Sequence, residues 1–223
     1  MTMPVTKSKF HALAVQFKDV SKANTEIAIQ DLLTCSNPQG GSGTVGTVDQ
    51  IHLWTGMAWS KYFYSKTLSK WVKENETEAT LDTVKNGDTF FFLRSSKGKT
   101  GDTVTLNGEV NPIEPTEGVV VTKSKFHFIA YPWPVEFPVN GFYAASSNPQ
   151  GGSGTVGTVD QVHRWTGMEW SKYYLNKTLD GYVKDGESEI TKDKLAVGEG
   201  VFFLRSSKGK TGDTIKFTKP AGL

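Results

Sequence analysis

The chain has 223 residues, 37% of them apolar and 22% charged, which is enough to bury two compact cores and too apolar for a disordered tail. Its 25 basic and 23 acidic side chains leave a formal charge of +2 with no block of one sign, so neither a nucleic-acid stripe nor a face for anionic lipid is expected. No run approaches the roughly 18 apolar residues of a spanning helix, so membrane insertion is not expected, and the opening residues carry no apolar signal core.

Taken from the N-terminus, Val5 to Ala14 reads as extended chain. The segment SNPQGGSGTVGTVDQ begins at Ser36 and again at Ser147, 111 positions on, and FFLRSSKGKTGDT begins at Phe91 and again at Phe202 in the same register. Val5–His11 (VTKSKFH) returns as Val121–His127 at an offset of 116, which places five extra residues of the first copy between Phe17 and Ser36. This repeat predicts an all-β chain of two tandem copies of a small antiparallel sandwich or barrel-like domain: residues 1–112, a Pro-rich linker at 113–119, and residues 120–223.

Within each copy, Thr47 to Trp54 alternates as a strand, turns at Thr55-Gly56 and returns through Ala58 to Tyr64 as a hairpin. Leu53 becomes Arg164 and Ala58 becomes Glu169 in the second copy. Those positions are therefore expected to face water, with Trp54 and Trp59 turned into the core. Thr77 to Val84 and Thr191 to Leu195 admit one helical turn. Phe90 to Arg94 and Thr103 to Leu106 read as a second hairpin about the glycine-bearing loop 95–101, the later strand burying Val104 and Leu106.

Motifs of known chemistry sit in the wrong context. Gly41–Gly46 and Gly152–Gly157 satisfy G-x-G-x-x-G, but a strand rather than a helix follows, so no nucleotide cofactor is expected. Gly98-Lys99-Thr100 and Gly209-Lys210-Thr211 lack the first glycine of a phosphate loop. His11, His52, His127 and His163 occupy matched positions without the ligand cluster a metal needs, and read as structural histidines. No nucleophile–base–acid set stands out, so no catalytic residue is assigned and a non-enzymatic role is expected. Cys35, the lone cysteine, aligns with Ser146 and reads as a small apolar residue rather than half of a disulfide.

The two copies agree unevenly. Their 66–90 and 177–201 stretches diverge, whereas the two loop-bearing segments are identical. Turn geometry explains the glycines there but not Asn37, Gln39, Thr44, Gln50, Lys97 and Lys99, nor their counterparts Asn148, Gln150, Thr155, Gln161, Lys208 and Lys210. These residues are the candidate interaction surface, presented once by each copy. Val5, Lys7, Lys9 and Phe10 form a candidate strand-exchange segment that would add to a neighbour's sheet edge.

The aromatic hairpins HLWTGMAWSKYFY and HRWTGMEWSKYYL, the runs VKNGDTFFFLR and VGEGVFFLR, and the final strand GDTVTLNGEV together resemble small β-rich repeat domains of bacterial cell-surface and extracellular proteins. The resemblance implies a β architecture and an extracellular or surface setting. The expected role is a self-assembling subunit of a filament, tube or lattice whose main partner is itself. The alternative is a glycan-binding or adhesive module using Tyr62, Tyr64, Trp71, Tyr173 and Tyr182 as sugar platforms.

Overall fold

The computed structural model describes residues 1–18, 26–41, 47–85, 87–99, 101–110, 118–152 and 158–222. The chain is built mainly of antiparallel strands and divides into two compact units, Met1–Asn111 and Pro112–Leu223. The expected linker falls largely on residues 111–117, outside the described residues.

The first unit runs β1 (Thr2–Pro4), β2 (Phe10–Ala14), β3 (Phe17–Lys18), β4 (Glu26–Ala28), the single helical turn α1 (Ile29–Leu32), β5 (Leu33–Cys35), β6 (Gln50–Trp54), β7 (Trp59–Ser65), β8 (Lys70–Lys73), β9 (Thr83–Lys85), β10 (Thr89–Leu93), β11 (Thr103–Leu106) and β12 (Glu109–Val110). Its main sheet has the order β2-β10-β6-β7-β8, and a smaller sheet has the order β1-β11-β5. Alternation along the main sheet turns Leu13, Ile51, Tyr62, Trp71, Phe90 and Phe92 to one side, where they meet Val5, Leu33, Val104 and Leu106. Each large side chain enclosed in this way contributes about 1.5–3 kcal/mol.

The second unit repeats the plan. It comprises β13 (Val119–Val121), β14 (Phe126–Ala130), β15 (Phe137–Pro138), α2 (Gly141–Ala145), β16 (Gln161–Trp165), β17 (Trp170–Asn176), β18 (Gly181–Lys184), β19 (Lys194–Leu195), β20 (Gly200–Leu204) and β21 (Asp213–Ile215). Its main sheet has the order β14-β20-β16-β17-β18. Its core gathers Ile129, Val162, Tyr173, Tyr182, Val201 and Phe203, with Trp133 and Phe142 filling the volume over the sheet.

Four expectations need correction. The first concerns the hairpin faces, since Ile51 is fully buried and Leu53, two residues on, packs against the same core, so Trp54 lies on the opposite face. Arg164 replaces Leu53 while staying half-buried, because its guanidinium grips the Glu199 carboxylate through two bonds of 2.6 and 3.0 Å. Ala58 and Glu169 are exposed, but they belong to the turn and say nothing about the strand's faces. Secondly, β10 and β11 do not pair: β10 lies between β2 and β6, while β11 joins β1 and β5 in the other sheet. Thirdly, neither proposed helical turn forms, and β9 and β19 occupy those places.

The fourth correction falls on the Val5–Ala14 segment. It breaks at Ser8, whose φ of 56° lies in the left-handed region, so the chain serves both sheets in turn. Val5 is 3% exposed in the core and donates its N–H to Asp102 O, and Phe10 is paired with Leu93 at the end of the β2–β10 ladder. Lys7 is exposed, together with Thr6 and Ser8, and Lys9 and Phe10 are half-buried. A strand-exchange role would require opening two ladders and removing a core residue.

Candidate functional site

The identical segments meet in the interior. Asp49 is fully buried and accepts three kinds of donor: Arg94 Nη1 at 2.6 Å, the Ser95 N–H at 2.9 Å and the Gln39 N–H at 2.8 Å. Arg94, 1% exposed, reaches on through Nη2 to the Asn37 carbonyl at 2.9 Å and to the Asp102 carboxylate. Asp102 also accepts the Lys99 N–H at 2.7 Å, the Ser95 hydroxyl donates to Thr47 O at 2.6 Å, and Ser36 Oγ accepts the Thr103 N–H at 2.9 Å. A Cβ on Gly98 would overlap Arg94 Nε, which explains a glycine where no left-handed φ requires one.

The second unit reproduces this clasp bond for bond through Asp160, Arg205, Asp213, Asn148, Gln150 and Ser206. Burial pushes the Asp49 and Asp160 carboxyls above the usual range, against the pull of their N–H donors and the guanidinium. The Lys99 N–H and the Arg94 guanidinium hold Asp102 below it. Such a fully enclosed Arg–Asp pair ties the loop before β6 to the loop after β10. It offers no reacting atom to solvent.

This geometry reassigns most of the candidate interaction surface. Asn37 and Asn148 give their carbonyls to the arginines, and the Gln39 and Gln150 side-chain amides donate to those same carbonyls at 3.0 and 3.1 Å. Gln50 and Gln161 are 4% and 3% exposed, and each bonds the imidazole two residues on, His52 or His163. Lys97, Lys99, Lys208 and Lys210 are exposed as expected, while their backbone N–H groups brace the loop. Thr44 and Thr155, and most of both G-x-G-x-x-G stretches, lie outside the described residues.

The more accessible constellation lies on the side of each main sheet turned away from its core. In the first unit Phe10, His52, Trp54, Trp59 and Phe91 form a continuous chain of ring contacts with centroids 5.0–6.3 Å apart. In the second, Phe126, Phe128, His163, Trp165, Trp170 and Phe202 do the same at 4.5–5.9 Å. Trp59 and Trp170 remain 36% and 39% exposed, and beside them the turn residues Met57 and Met168 reach 85% and 77%.

The sequence signal for this face was the cross-turn pair itself, Trp54 opposite Trp59 and Trp165 opposite Trp170. It was masked by reading the Leu53-to-Arg164 change as a mark of solvent. The proposed sugar platforms behave oppositely: Tyr62, Trp71, Tyr173 and Tyr182 are at most 3% exposed, and Tyr64 packs against the core.

The histidines bond within their own units. Each of His11 and His127 accepts a backbone N–H at Nε2, from Thr6 and Thr122, which fixes a neutral ring. Burial lowers the pKa of both, and burial with a neighbouring lysine lowers His52 and His163 to about 4. Among the described residues no group of three or more His, Cys, Asp or Glu side chains is placed to hold a metal ion, and no helix is long and apolar enough to cross a membrane. Cys35 is partly buried, and burial raises its thiol to about 12. No protein-family model, curated protein or solved structure matches the chain.

Proposed function

We propose that the chain is a non-enzymatic structural protein, two tandem copies of one sandwich-like β domain, that assembles with further copies of itself in an extracellular or surface setting. The observation that carries this reading is the aromatic sheet face present in both units at matching positions. Tryptophan, phenylalanine and methionine are the side chains enriched where proteins meet, and the aromatic ones bring large contact area at low entropic cost. Among the polar groups on the face, Gln50 is bonded to His52 and Gln161 to His163, and Lys61 and Lys172 stand opposite the two imidazoles. The face therefore suits an apolar, protein-like partner better than a hydroxyl-rich one.

Valence supports a polymer. A face that pairs with its own copy closes a dimer when a subunit carries one of them, whereas a subunit with two such faces can pass the contact on. The clasp supports the same reading in a different way, because it holds the loops at one end of each sheet rigid.

Sedimentation velocity across a concentration series, with negative-stain microscopy of the same samples, tests the proposal. The expected result is concentration-dependent association into ordered particles, lost when Trp59 and Trp170 are both changed to serine and retained when Lys97 and Lys208 are changed to glutamate. A monomer at every concentration overturns it, as does association that survives the double serine variant.

A further inference from the structure

The second unit carries a surface cavity of about 240 Å³ near the β18 end of its main sheet, separate from the clasp. Tyr174 and Val183, directly paired across β17 and β18, line it together with Gly152 and Val159 of the preceding loop and the Asp185–Glu187 turn. Leu175, Lys184 and Asn176 complete the lining, the Asn176 Oδ1 accepting the Thr178 and Leu179 N–H groups at 2.9 and 3.2 Å. The site thus combines an aromatic ring and aliphatic side chains with two carboxylates, an amide and the Lys184 ammonium, which is itself paired with Asp193 at 3.5 Å. From these we infer that the cavity is a binding site for a single neutral sugar residue.

The chemistry selects that class. A pyranose ring has an apolar face that stacks on a phenol ring and a girdle of hydroxyls that donate to carboxylates and amide oxygens. The volume accommodates one ring, with the rest of any chain left outside. Asp185 and Glu187 outweigh the one cation of the lining, Lys184, which Asp193 already partners at 3.5 Å, and so disfavour an acidic sugar by like-charge repulsion. Tyr174 is tied to Asp185, whose charge and hydrogen bond add to burial in raising the phenol's pKa.

The first unit supplies an internal comparison. Gly41, Val48, Val72, Lys73 and Glu76 repeat in the second unit as Gly152, Val159, Val183, Lys184 and Glu187, so half the lining is unchanged. The other five positions differ, and at one of them Tyr64 becomes Leu175 and loses its hydroxyl. Phe63 becomes Tyr174 and Ser65 becomes Asn176, each gaining polar reach, while Glu74 shortens to Asp185 and Asn75 becomes Gly186, each giving up volume. In the first unit Glu74 is also engaged with Lys61 at 3.6 Å. Substitution at the lining has thus placed hydrogen-bonding groups at Tyr174 and Asn176 and shortened the side chains at 185 and 186. None of these residues belongs to the aromatic ring chain, so the inference stands or falls separately from self-assembly.

Saturation-transfer NMR of the full chain with glucose, galactose, mannose, N-acetylglucosamine and glucuronate tests it. At least one neutral sugar is expected to receive transfer, and glucuronate none. Gly186→Asn should weaken that binding by about tenfold. Asparagine is compatible with the backbone there, since Gly186 has φ of 81° and Asn75 already occupies the matching position at 70°. Tyr174→Phe, which restores the first unit's residue on an unchanged ring shape, should weaken it as well and guards against a folding defect in the glycine variant. No transfer to any neutral sugar, equal transfer to glucuronate, or binding unchanged in Tyr174→Phe overturns the inference.

Discussion

Gly98 and Gly209 show how a single missing methyl can carry a whole polar network. Each arginine has five N–H donors to place in an enclosed volume, and only the close approach of a glycine leaves room for the guanidinium between two aspartates. Arg94 Nε and Arg205 Nε have no hydrogen-bond partner among the described residues, so the clasp is already short of one acceptor and has no slack to absorb a shift. Gly98→Ala is therefore expected to lower the stability of the first unit by about 3 kcal/mol or more, because it displaces a buried ion pair rather than merely crowding a turn. Lys97→Ala, one residue earlier and exposed, should stay within about 0.5 kcal/mol. Urea unfolding of the two variants, followed by tryptophan fluorescence, makes the comparison.

Acid should act chiefly through His52 and His163. Their folded pKa of about 4 lies below the ordinary 6.5, so the unfolded chain binds more protons between those values. Their contribution is complete above about pH 6.5 and is lost as the pH falls through 4. The raised Asp49 and Asp160 carboxyls work in the opposite sense, since protonating them relieves a buried charge. Changing both histidines to glutamine isolates the first effect. The wild type should lose stability between pH 6.5 and 4 more steeply than the variant, and parallel curves would remove His52 and His163 from the account.

At the scale of the element, β6 and β16 teach a point about reading faces from substitutions. The alternation of Gln50, His52 and Trp54 against Ile51 and Leu53 was present in the sequence, and it is the alternation that holds. The change of Leu53 to Arg164 pointed the other way because a charged side chain at a sheet margin needs only one good partner, here Glu199. Glu199 aligns with Asp88, one methylene shorter, and both accept a nearby backbone N–H, from Ala196 and Lys85. Leu53→Arg alone should accordingly cost the first unit about 1–3 kcal/mol. The pair Leu53→Arg with Asp88→Glu should recover at least half of that. A thermal denaturation double-mutant cycle measures the coupling, and additive effects would mean that the Arg164–Glu199 bond does not explain the exchange. The second hairpin escaped the sequence for a related reason. Phe90–Arg94 and Thr103–Leu106 have the right composition to pair, yet the clasp at Arg94 and Asp102 carries the intervening loop from one sheet to the other.

For the molecule as a whole, the repeat was legible at once, and the meaning of its uneven identity was not. Segments 36–50 and 91–103 are unchanged between copies because they hold each other: a buried arginine, two aspartates and the carbonyl and N–H groups around them tolerate no independent drift. The residues that diverge include core positions where one apolar side chain replaces another, Phe90 with Val201 and Trp71 with Tyr182 among them, as well as positions that meet water. Both cores close within their own units, around Phe92 and Ile51 in one and Phe203 and Val162 in the other. It follows that Arg94→Leu should unfold the first unit while the second keeps its structure. Removing one partner of a buried ion pair costs about 3–5 kcal/mol, which is a large part of what a unit of this size possesses. Calorimetry of this variant should show a separate early transition with the later one in place, and Arg205→Leu should exchange which unit melts first. One broadened transition that moves as a block in both variants would show that the two halves fold as a single cooperative body, and the duplication would then have to be understood at the level of the whole chain.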